Sequence, residues 1–557
     1  MIRDLDEASG PELEGYDLCV IGSGPAGGTL INELRDAGLR ICVLESGRRK
    51  RSRYADELRR VESGGIQIKE NSRERVLGGA STTWSGLSSP MDPVDLADRP
   101  YLQVPGWPIT EEELAADYRS AAERYRFPPI EAFEQGGFDA LREEGDLRPR
   151  WEELDEKIFL AADEPQNFGR EWTEIYKGED VDLWLDSSVI ELLSSSDAAQ
   201  DFPASIEAAL VRTRSGKDVR VSAKRFVVAA GGLENARLLL LSKIATDNDQ
   251  VGRYLMNHPK NYNGILHLDR SVDDLPYFFG CLKEGFAGYA GLRLPLHIQR
   301  EQQLMNCYVR LEPLFPWSDN DGVTSLVLLV KQSHALFSGW KKRHAEEVVV
   351  LRDYAETGDD TDLADESRSV GGLFGLALRV LLHLPSVFSY LYYRLSRAQP
   401  PIKRVRIRNF MEMEPRPENR VTLDTQQDSN GVAIANIQHE CSELDKRSLR
   451  TLHEALARDF QAAGLGRFVS TLDAEAKWPI DQDASHHMGT TRMGLDPKTS
   501  VVDADLRVHG ISNLYMAGAS VFPTSGCVNP TFTIVALSIR LARHLRGQAG
   551  ADTASVS

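Results

Sequence analysis

Apolar residues near the N-terminus follow a strand–helix–strand pattern. A short apolar run at residues 16–22 predicts a buried strand, and residues 40–45 predict a second one. Between these runs, Leu30 and Leu34 keep the spacing of an amphipathic helix, and Gly38 ends it. The pattern therefore predicts one complete βαβ unit at the start of the chain.

Further elements follow along the chain, although their order in space is not fixed by the pattern. Residues 110–127 read as an acidic amphipathic helix capped by Thr110, and residues 181–231 alternate as strands do. Residues 500–545 return to a strand, a loop and a helix. Residues 260–480 mix strand-like runs with polar loops, so the pattern leaves their topology open.

The longest mostly apolar stretch covers residues 370–393. Arg379, His383 and Pro385 interrupt it, so it is too broken for a helix that spans a membrane. We expect a helix that faces the core, stops at Pro385 and resumes. A contact with the interface of a membrane is the alternative.

Composition places the chain among ordinary globular proteins. It has 557 residues, of which 41% are hydrophobic and 27% are charged, which predicts two or more domains with large cores. The formal net charge of −18 argues against a nucleic acid partner, because phosphates require a basic surface. The six cysteines are scattered, so we expect no disulfide framework and no metal site. The acidic N-terminus lacks the features of a signal peptide, which favours a cytoplasmic location.

A glycine-rich turn links the first strand to the first helix. Gly22 allows a tight turn, Gly24 lets the backbone approach a pyrophosphate, and Gly27 lets helix and strand pack closely. The helix N-terminus adds free N–H groups and a favourable dipole. Glu45 ends the second strand, where a carboxylate can bind ribose hydroxyls. The unit therefore predicts a dinucleotide site, which FAD and NAD could both occupy.

Four later segments carry a family resemblance: RVLGGASTTW (75–84), VVAAGGLENARLLL (227–240), HHMGTTRMG (486–494) and NLYMAGASVFPTSGCVNPT (513–531). Together they resemble the glucose–methanol–choline (GMC) oxidoreductases, in the order and spacing of that family. The last two segments look most like the branch of pyranose oxidases and bacterial sugar dehydrogenases. The resemblance favours FAD over NAD.

The resemblance also implies a fold of the α/β and α+β classes. It has a Rossmann-type FAD-binding domain assembled from non-contiguous segments, and a substrate domain with an antiparallel sheet covered by helices. We expect FAD-binding parts at 1–100, 181–260 and 481–545, a linking and cap segment at 101–180, the substrate domain at 261–480 and a disordered tail at 546–557.

Oxidation of an alcohol by a flavin requires a group that accepts the hydroxyl proton and a second group that holds the oxygen. The resemblance assigns the base to His486 and its hydrogen-bonding partner to Asn529. Read locally, Asn529 is also an ordinary N-cap with Pro530 at the first helical position. His487 competes with His486, but neighbouring residues on an extended segment point in opposite directions. A loosely matching segment contains His258, which we expect to be structural.

The same segments supply the residues that we expect to contact FAD besides the first glycine turn: Gly78, Gly79, Ser81, Thr83, Trp84, Gly518, Ala519, Pro530 and Thr531. Pyranose oxidases carry a histidine just before the tryptophan of this loop, and it links covalently to FAD. Thr83 occupies that position here, so we expect FAD to be bound non-covalently.

The predicted function is FAD-dependent oxidation of a sugar, glycoside or polyol hydroxyl, with hydride transfer to flavin N5. Alternatives are an aryl, terpenoid or lipid alcohol as substrate, or a non-catalytic flavin-binding electron-transfer subunit. The electron acceptor is oxygen, a quinone or a redox protein, and the sequence does not separate oxidase from dehydrogenase. There is no CxxCH motif for haem attachment.

Overall fold

The computed structural model describes residues 1–8, 10–69, 72–142, 148–162, 164–195, 204–318, 320–338, 370–396, 398, 400–473 and 485–556. The protein is of the mixed α/β type, with three sheets and helices packed on them.

The strands of the described residues are β1 (Ile2–Asp4), β2 (Glu12–Ile21), β3 (Ile41–Leu44), β4 (Val61–Gly64), β5 (Asp155–Ala162), β6 (Val181–Leu185), β7 (Ser187–Ser194), β8 (Ile206–Thr213), β9 (Asp218–Val228), β10 (Lys260–Val272), β11 (Gly280–Cys281), β12 (Phe286–Arg293), β13 (Tyr308–Leu314), β14 (Ile402–Phe410), β15 (Arg420–Gln427), β16 (Ala433–Gln438), β17 (Gly466–Ser470) and β18 (Leu514–Met516).

The α-helices are α1 (Pro25–Leu34), α2 (Arg53–Glu57), α3 (Pro93–Leu96), α4 (Glu111–Tyr125), α5 (Gln135–Leu141), α6 (Gly232–Leu241), α7 (Leu296–Glu301), α8 (Asp321–Ser338), α9 (Val370–Leu382), α10 (Leu384–Ser396), α11 (Glu443–Ala462) and α12 (Thr531–Val556). The predicted cap of α4 is present, because the Thr110 side chain accepts a hydrogen bond from the Glu113 N–H and the Glu113 carboxylate accepts one from the Thr110 N–H.

The first sheet has the strand order β1-β6-β3-β2-β9-β8-β7, with β18 also paired to β9. Its β1, β6, β3, β2, β9 and β18 run parallel, whereas β7 and β8 are antiparallel. The apolar run Leu18–Ile21 lies between Ile41–Leu44 and Phe226–Val228, which explains why it has no polar alternation. This sheet gathers strands from the beginning, the middle and the end of the chain.

The second sheet is antiparallel, with the order β11-β12-β13-β14-β10-β17 and β5 beside β12. Its inner face, which includes Val309 and Ile407, shares a buried cluster with Leu452 and Phe460 of α11. β5 comes from residues 101–180, which we predicted to be a linking and cap segment, and it pairs with β12 along eight residues. A further small sheet has the order β15-β16-β4.

The apolar stretch at 370–393 packs on a core cluster along one side only, so the expectation that it faces the core is met in part. It forms α9 and α10, bent by 88° at a break around His383, just before Pro385. Large side chains on it are exposed, including Phe374 at 76% and Leu382 at 70%. Among the described residues no single helix is both long and apolar enough to cross a membrane, whereas this bent pair passes that test by length and composition.

The C-terminal tail continues α12 through residues 546–556, where we predicted disorder. The first half of this helix is buried, so its helical turns are already nucleated and each further residue adds to the helix at low cost. Gln548 also accepts a hydrogen bond from the Tyr515 hydroxyl at 3.0 Å, which ties this part of the helix to β18.

Candidate functional site

A cavity of about 420 Å³ lies where the carboxyl ends of the first sheet's parallel strands meet the second sheet. This volume is typical of sites for small molecules. Of the fifteen predicted site residues, thirteen line it: Gly22, Gly24, Glu45, Gly79, Ser81, Thr83, Trp84, His486, Gly518, Ala519, Asn529, Pro530 and Thr531. Gly27 and Gly78 stand behind this surface.

The first glycine turn is shaped by close backbone contacts. Gly22 has a φ of 104°, and a Cβ there would lie 2.5 Å from the Ala229 carbonyl oxygen. A Cβ on Gly27 would collide with the Gly22 carbonyl, so this glycine allows α1 to pack on the turn, as predicted. Gly24 caps α1 without a side-chain hydrogen bond, and Gly24, Pro25 and Ala26 line the cavity, so the N-terminus of the helix lies at the cavity wall. The turn therefore offers donors to an anionic group.

Glu45 joins the first glycine turn to the end of β3. One carboxylate oxygen accepts hydrogen bonds from the Ser23 hydroxyl at 2.6 Å and the Ser23 N–H at 3.1 Å. The other oxygen accepts from the Gly47 N–H at 2.8 Å. The Ser23 hydroxyl also accepts from the Gly78 N–H, so the two glycine-rich loops are held in register. Burial raises the pKa of Glu45, while these hydrogen bonds act in the opposite direction.

The loop at 75–84 packs closely against the first glycine turn. A Cβ on Gly79 would lie 3.0 Å from the Gly24 Cα, and Gly78 has a φ of 94°. The Ser81 hydroxyl donates to the Gly78 carbonyl at 2.6 Å, and the Trp84 indole N–H donates to the Gln166 carbonyl at 2.7 Å. Side chains thus hold the loop from behind, while its glycines bring backbone to the cavity.

Two other glycines expose backbone to the cavity. Gly231 and Gly518 have φ values of 93° and 101°, and a Cβ on either would meet nothing within 4 Å. Asn235 connects the two turns, because its amide donates to the Ala517 carbonyl at 2.9 Å and its oxygen accepts from the Ala230 N–H. Such bare backbone beside a helix N-terminus fits the dinucleotide part of FAD.

Two backbone segments bring His258 and His486 together. Met256 and Met488 exchange two backbone hydrogen bonds of 3.0 Å, which sets residues 251–259 beside the HHMGTTRMG segment. The buried Asn257 side chain then accepts hydrogen bonds from the His486 N–H at 2.9 Å and the His258 N–H at 3.0 Å. One amide oxygen therefore fixes the backbone of both histidines.

The protons on this histidine pair follow from their partners. His258 Nε2 lies 2.8 Å from the Gly526 carbonyl oxygen, which only accepts, so this nitrogen carries a proton. Burial, and then the charge of Lys260, lower the pKa of His258 to about 4, so at pH 7 its Nδ1 is an acceptor. His258 Nδ1 lies 2.8 Å from His486 Nδ1, which must therefore hold the proton between them.

His486 consequently presents an unprotonated Nε2. Burial, followed by the charges of Lys260, His258 and His487, lowers the pKa of His486 well below 6.5, so the ring is neutral with a single N–H. That N–H is on Nδ1, and the ring lines the cavity. A bare imidazole nitrogen on a cavity wall is suited to accept a proton from a hydroxyl group.

Both nitrogens of His487 are used within the protein. The Asn257 amide donates to its Nδ1 at 3.2 Å, and its Nε2 lies 3.2 Å from the Ser72 hydroxyl, which itself donates to the Lys69 carbonyl. The ring touches the cavity as well, so the expectation that only one of the two histidines faces it is not met. His487 nevertheless differs from His486, because partners within the protein contact both ring nitrogens of His487 but, among the described residues, only Nδ1 of His486.

Asn529 is oriented by the loop that follows Trp84. Its amide Nδ2 donates to the Leu87 carbonyl oxygen at 2.6 Å, which settles which end of the amide is the nitrogen. The remaining N–H and the amide oxygen of this cavity-lining residue are left for other partners. The structure therefore holds Asn529, which precedes α12, by a contact with a distant part of the chain.

The second sheet adds residues that the sequence analysis did not identify. Arg310 pairs with Arg408, and Lys260 pairs with Phe410, across neighbouring strands, and all four residues line the cavity. The signal was present in the alternation of RVRIRNF, which sends its arginines to one face of a strand and its aliphatic residues to the other.

Glu312 pairs with the arginines of this face. Burial raises the pKa of Glu312. The charges of Arg310, Arg408 and Arg406 lower it by a larger amount, so that the pKa falls to about 2. Arg310 and Glu312 form a buried ion pair, and Arg406 lies 3.1 Å from the same carboxylate. These ion pairs make the floor of the cavity rigid and polar.

Residues 415–538 match the family model described as GMC oxidoreductase, and this range includes both His486 and Asn529. Over this range the chain is similar to the GMC oxidoreductases. It is an enzyme that oxidises an alcohol group.

Proteins that are similar to this chain include oxidases and a dehydrogenase. The 6'''-hydroxyparomomycin C oxidase of Streptomyces lividus is 24% identical over 97% of this chain and 93% of its own. The 2-methyl-1,2-propanediol dehydrogenase of Mycolicibacterium austroafricanum is 24% identical over 95% of each chain. The C-glycoside 3-oxidase of Microbacterium trichothecenolyticum is 33% identical, over 24% of this chain and 25% of its own.

Proposed function

We propose that this enzyme oxidises a hydroxyl group of a sugar, glycoside or polyol, with His486 as the base and Asn529 as the group that holds the alcohol oxygen. The observation that carries the proposal is the bare Nε2 of His486 on the cavity wall, which follows from the hydrogen bonds from His486 through His258 to the Gly526 carbonyl.

The residues present fit FAD. We propose that the turn at Gly22–Gly27 and the N-terminus of α1 hold its pyrophosphate, that Glu45 binds a ribose, and that the loops at 75–84 and 518–519 hold the ring system. When bound, FAD supplies an acceptor for the hydride that leaves the carbinol carbon. The first sheet and α1 then form the FAD-binding body, and the second sheet forms the substrate-binding body.

The protein's own part in the reaction is to place the alcohol and to take its proton. His486 Nε2 accepts the hydroxyl proton, which makes the ring a cation with both nitrogens protonated. The His486 Nδ1–H then donates to the neutral His258, and this charge-assisted hydrogen bond is stronger than the one in the resting state. Asn529, which Leu87 holds in place, contacts the alcohol oxygen and fixes its direction.

The choice of a sugar-like substrate rests on the polar floor and on the relatives. Lys260, Arg310 and Arg408 provide N–H donors of the kind that bind several hydroxyl groups at once. The name of one relative states oxidation of a C-glycoside, and the name of another states dehydrogenation of a diol. An aryl or lipid alcohol would instead need apolar side chains, whereas Lys260, Arg310 and Arg408 make this floor polar.

Anaerobic reduction of the bound flavin by a panel of alcohols tests the proposal. We expect the yellow absorbance to bleach with sugars, glycosides or polyols and not with aryl or terpenoid alcohols. Bleaching by aryl alcohols alone would show that the substrate is an aryl alcohol and not a sugar. No bleaching by any alcohol would favour a flavin-binding electron-transfer subunit. Reoxidation by oxygen or by quinones then identifies the acceptor, which stays a prediction until that measurement.

The rate of flavin reduction should depend on pH only on the acid side. The base must be neutral, and burial, followed by the charges of Lys260, His258 and His487, lowers the pKa of His486 well below 6.5. We therefore expect a constant rate from about pH 6.5 upwards and a fall as the solution becomes more acidic and the ring is protonated. Stopped-flow reduction at saturating substrate measures this, and a midpoint near 6.5 or above would contradict the assignment.

FAD should come off the protein without breaking a covalent bond. Thr83 lines the cavity where related enzymes carry a linking histidine, and its hydroxyl donates to the Ala80 carbonyl at 3.3 Å. Precipitation with acid should leave a colourless pellet and a yellow supernatant. A yellow pellet that keeps its flavin in denaturing electrophoresis would contradict this expectation.

A further inference from the structure

The helices α9 and α10 hold most of the exposed apolar surface of the described chain. Twelve large hydrophobic side chains are exposed, and eight of them lie on these two helices. Phe374 is 76% exposed and Leu395 is 81% exposed, against 3% for Val387 on the inner side of α10. Exposed apolar side chains concentrated on one pair of helices are rare on a soluble monomer and mark a contact with a partner or a membrane.

The exposed side chains follow the helical repeat. On α9 they are Phe374, Leu378, Leu381 and Leu382, and on α10 they are Leu384, Phe388, Tyr392 and Leu395. Spacings of three, four, seven and eight residues put each set along one side of its helix. The opposite sides of the helices carry the buried Leu376, Val387 and Tyr390.

The inner side of the pair already has its partners. Val387 and Tyr390 share a buried cluster with Trp317 and Val323, next to the start of α8. Each helix therefore carries two apolar sides, one packed and one exposed. The exposed side is not needed for the packing of the described core.

The sequence that forms and follows these helices carries a charge opposite to that of the whole chain. From residue 370 to residue 411 there is no Asp or Glu, while there are seven Lys or Arg, in a chain whose net charge is −18. Arg394, Lys403 and Arg404 of this range are exposed. Positive side chains that follow an exposed apolar helix pair closely in the chain match the headgroups of anionic lipids.

The dimensions favour a helix pair that lies on a bilayer. Each helix has thirteen residues, or about 20 Å at 1.5 Å per residue, which is short of the roughly 30 Å of a hydrocarbon core. The 88° bend also prevents the two helices from acting as one straight span.

We propose that α9 and α10 form a membrane-binding surface, with Phe374, Leu382 and Phe388 inserted at the level of the acyl chains and Arg394, Lys403 and Arg404 at anionic headgroups. This surface would keep the enzyme at a membrane without a spanning helix. The proposal does not depend on the substrate or on the roles of His486 and Asn529.

Flotation of the purified holoenzyme with lipid vesicles tests this surface. The enzyme should float with vesicles that contain phosphatidylglycerol, and much less with vesicles of phosphatidylcholine alone. The Phe374→Ser/Leu382→Ser/Phe388→Ser variant should lose more than tenfold in the bound fraction, at unchanged flavin content and rate of flavin reduction. Lys403→Gln/Arg404→Gln should remove much of the preference for anionic vesicles.

The matched control changes exposed leucines elsewhere. Leu423 and Leu495 are 37% and 77% exposed outside the helix pair, so Leu423→Ser/Leu495→Ser should float as the unchanged enzyme does. Equal flotation of the triple variant, or no flotation of the unchanged enzyme, would overturn the proposal. So would a dimer, seen by size-exclusion chromatography with light scattering, that the triple variant dissociates, because a second copy would then cover the surface.

Discussion

Replacing His486 with alanine should slow anaerobic flavin reduction by the alcohol substrate by roughly 10²- to 10⁴-fold, the usual contribution of a positioned acid or base. His486 carries its one proton on Nδ1, so its bare Nε2 is the nitrogen available to the hydroxyl group. Stopped-flow absorbance at saturating substrate measures the rate, and the absorbance spectrum gives the flavin content per chain.

His487 supplies the control for that experiment. Its Nδ1 accepts a hydrogen bond from the Asn257 amide, and its Nε2 lies next to the Ser72 hydroxyl. Because His487→Ala removes these buried contacts, it should lower the free energy of unfolding by about 1–3 kcal/mol. Its rate of flavin reduction should fall far less than that of His486→Ala. If His487→Ala abolished reduction while His486→Ala retained it, the assignment of the base would be wrong.

Changing His258 should slow the same step, although this residue is a positioning residue and not the base. His258→Phe removes the acceptor that holds the proton on His486 Nδ1, so a fraction of His486 would carry its proton on Nε2 and could not act. The loss of one buried hydrogen bond costs about 1–3 kcal/mol. At 1.4 kcal/mol per tenfold, this corresponds to a rate roughly five- to a hundredfold lower.

His258→Asn is the matched variant, because its side-chain oxygen can take the place of Nδ1 and accept the His486 proton. We expect it to recover a large part of the rate that His258→Phe loses, with little change in half-saturation for substrate in either variant. Neutron crystallography of the unchanged enzyme should locate the protons on His486 Nδ1 and His258 Nε2. Equal rates in the two variants, or a proton on His486 Nε2, would contradict the assignment.

The sequence predicted the parts of the site that local geometry requires. Gly22 and Gly27 are specified because the first needs a positive φ and the second must let α1 approach the turn, and both conditions act over a few residues. The helix at 110–127 was predicted for the same reason, since its cap involves residues three apart. The HHMGTTRMG segment indicated His486 through its resemblance to the family.

Other predictions failed or were met only in part where distant parts of the chain decide the outcome. The stretch at 370–393 was expected to face the core because apolar residues usually do, yet only one side of it packs on a core cluster, since burial depends on what else packs nearby. The tail at 546–556 looked disordered by composition, but the buried start of α12 extends the helix through it. The cytoplasmic location stays a prediction.

By itself, the sequence determined the glycine turn and the acidic end of β3, and its family resemblance supplied His486 and Asn529 as the candidate base and its partner. Only the tertiary structure decided which nitrogen of His486 is bare, because that depends on His258, 228 residues earlier, and on the Gly526 carbonyl. It also brought Lys260, Arg310 and Arg408 to the cavity through the register of the second sheet. A sequence lists which groups can donate or accept a proton, but the direction of each hydrogen bond is set by which groups meet in space.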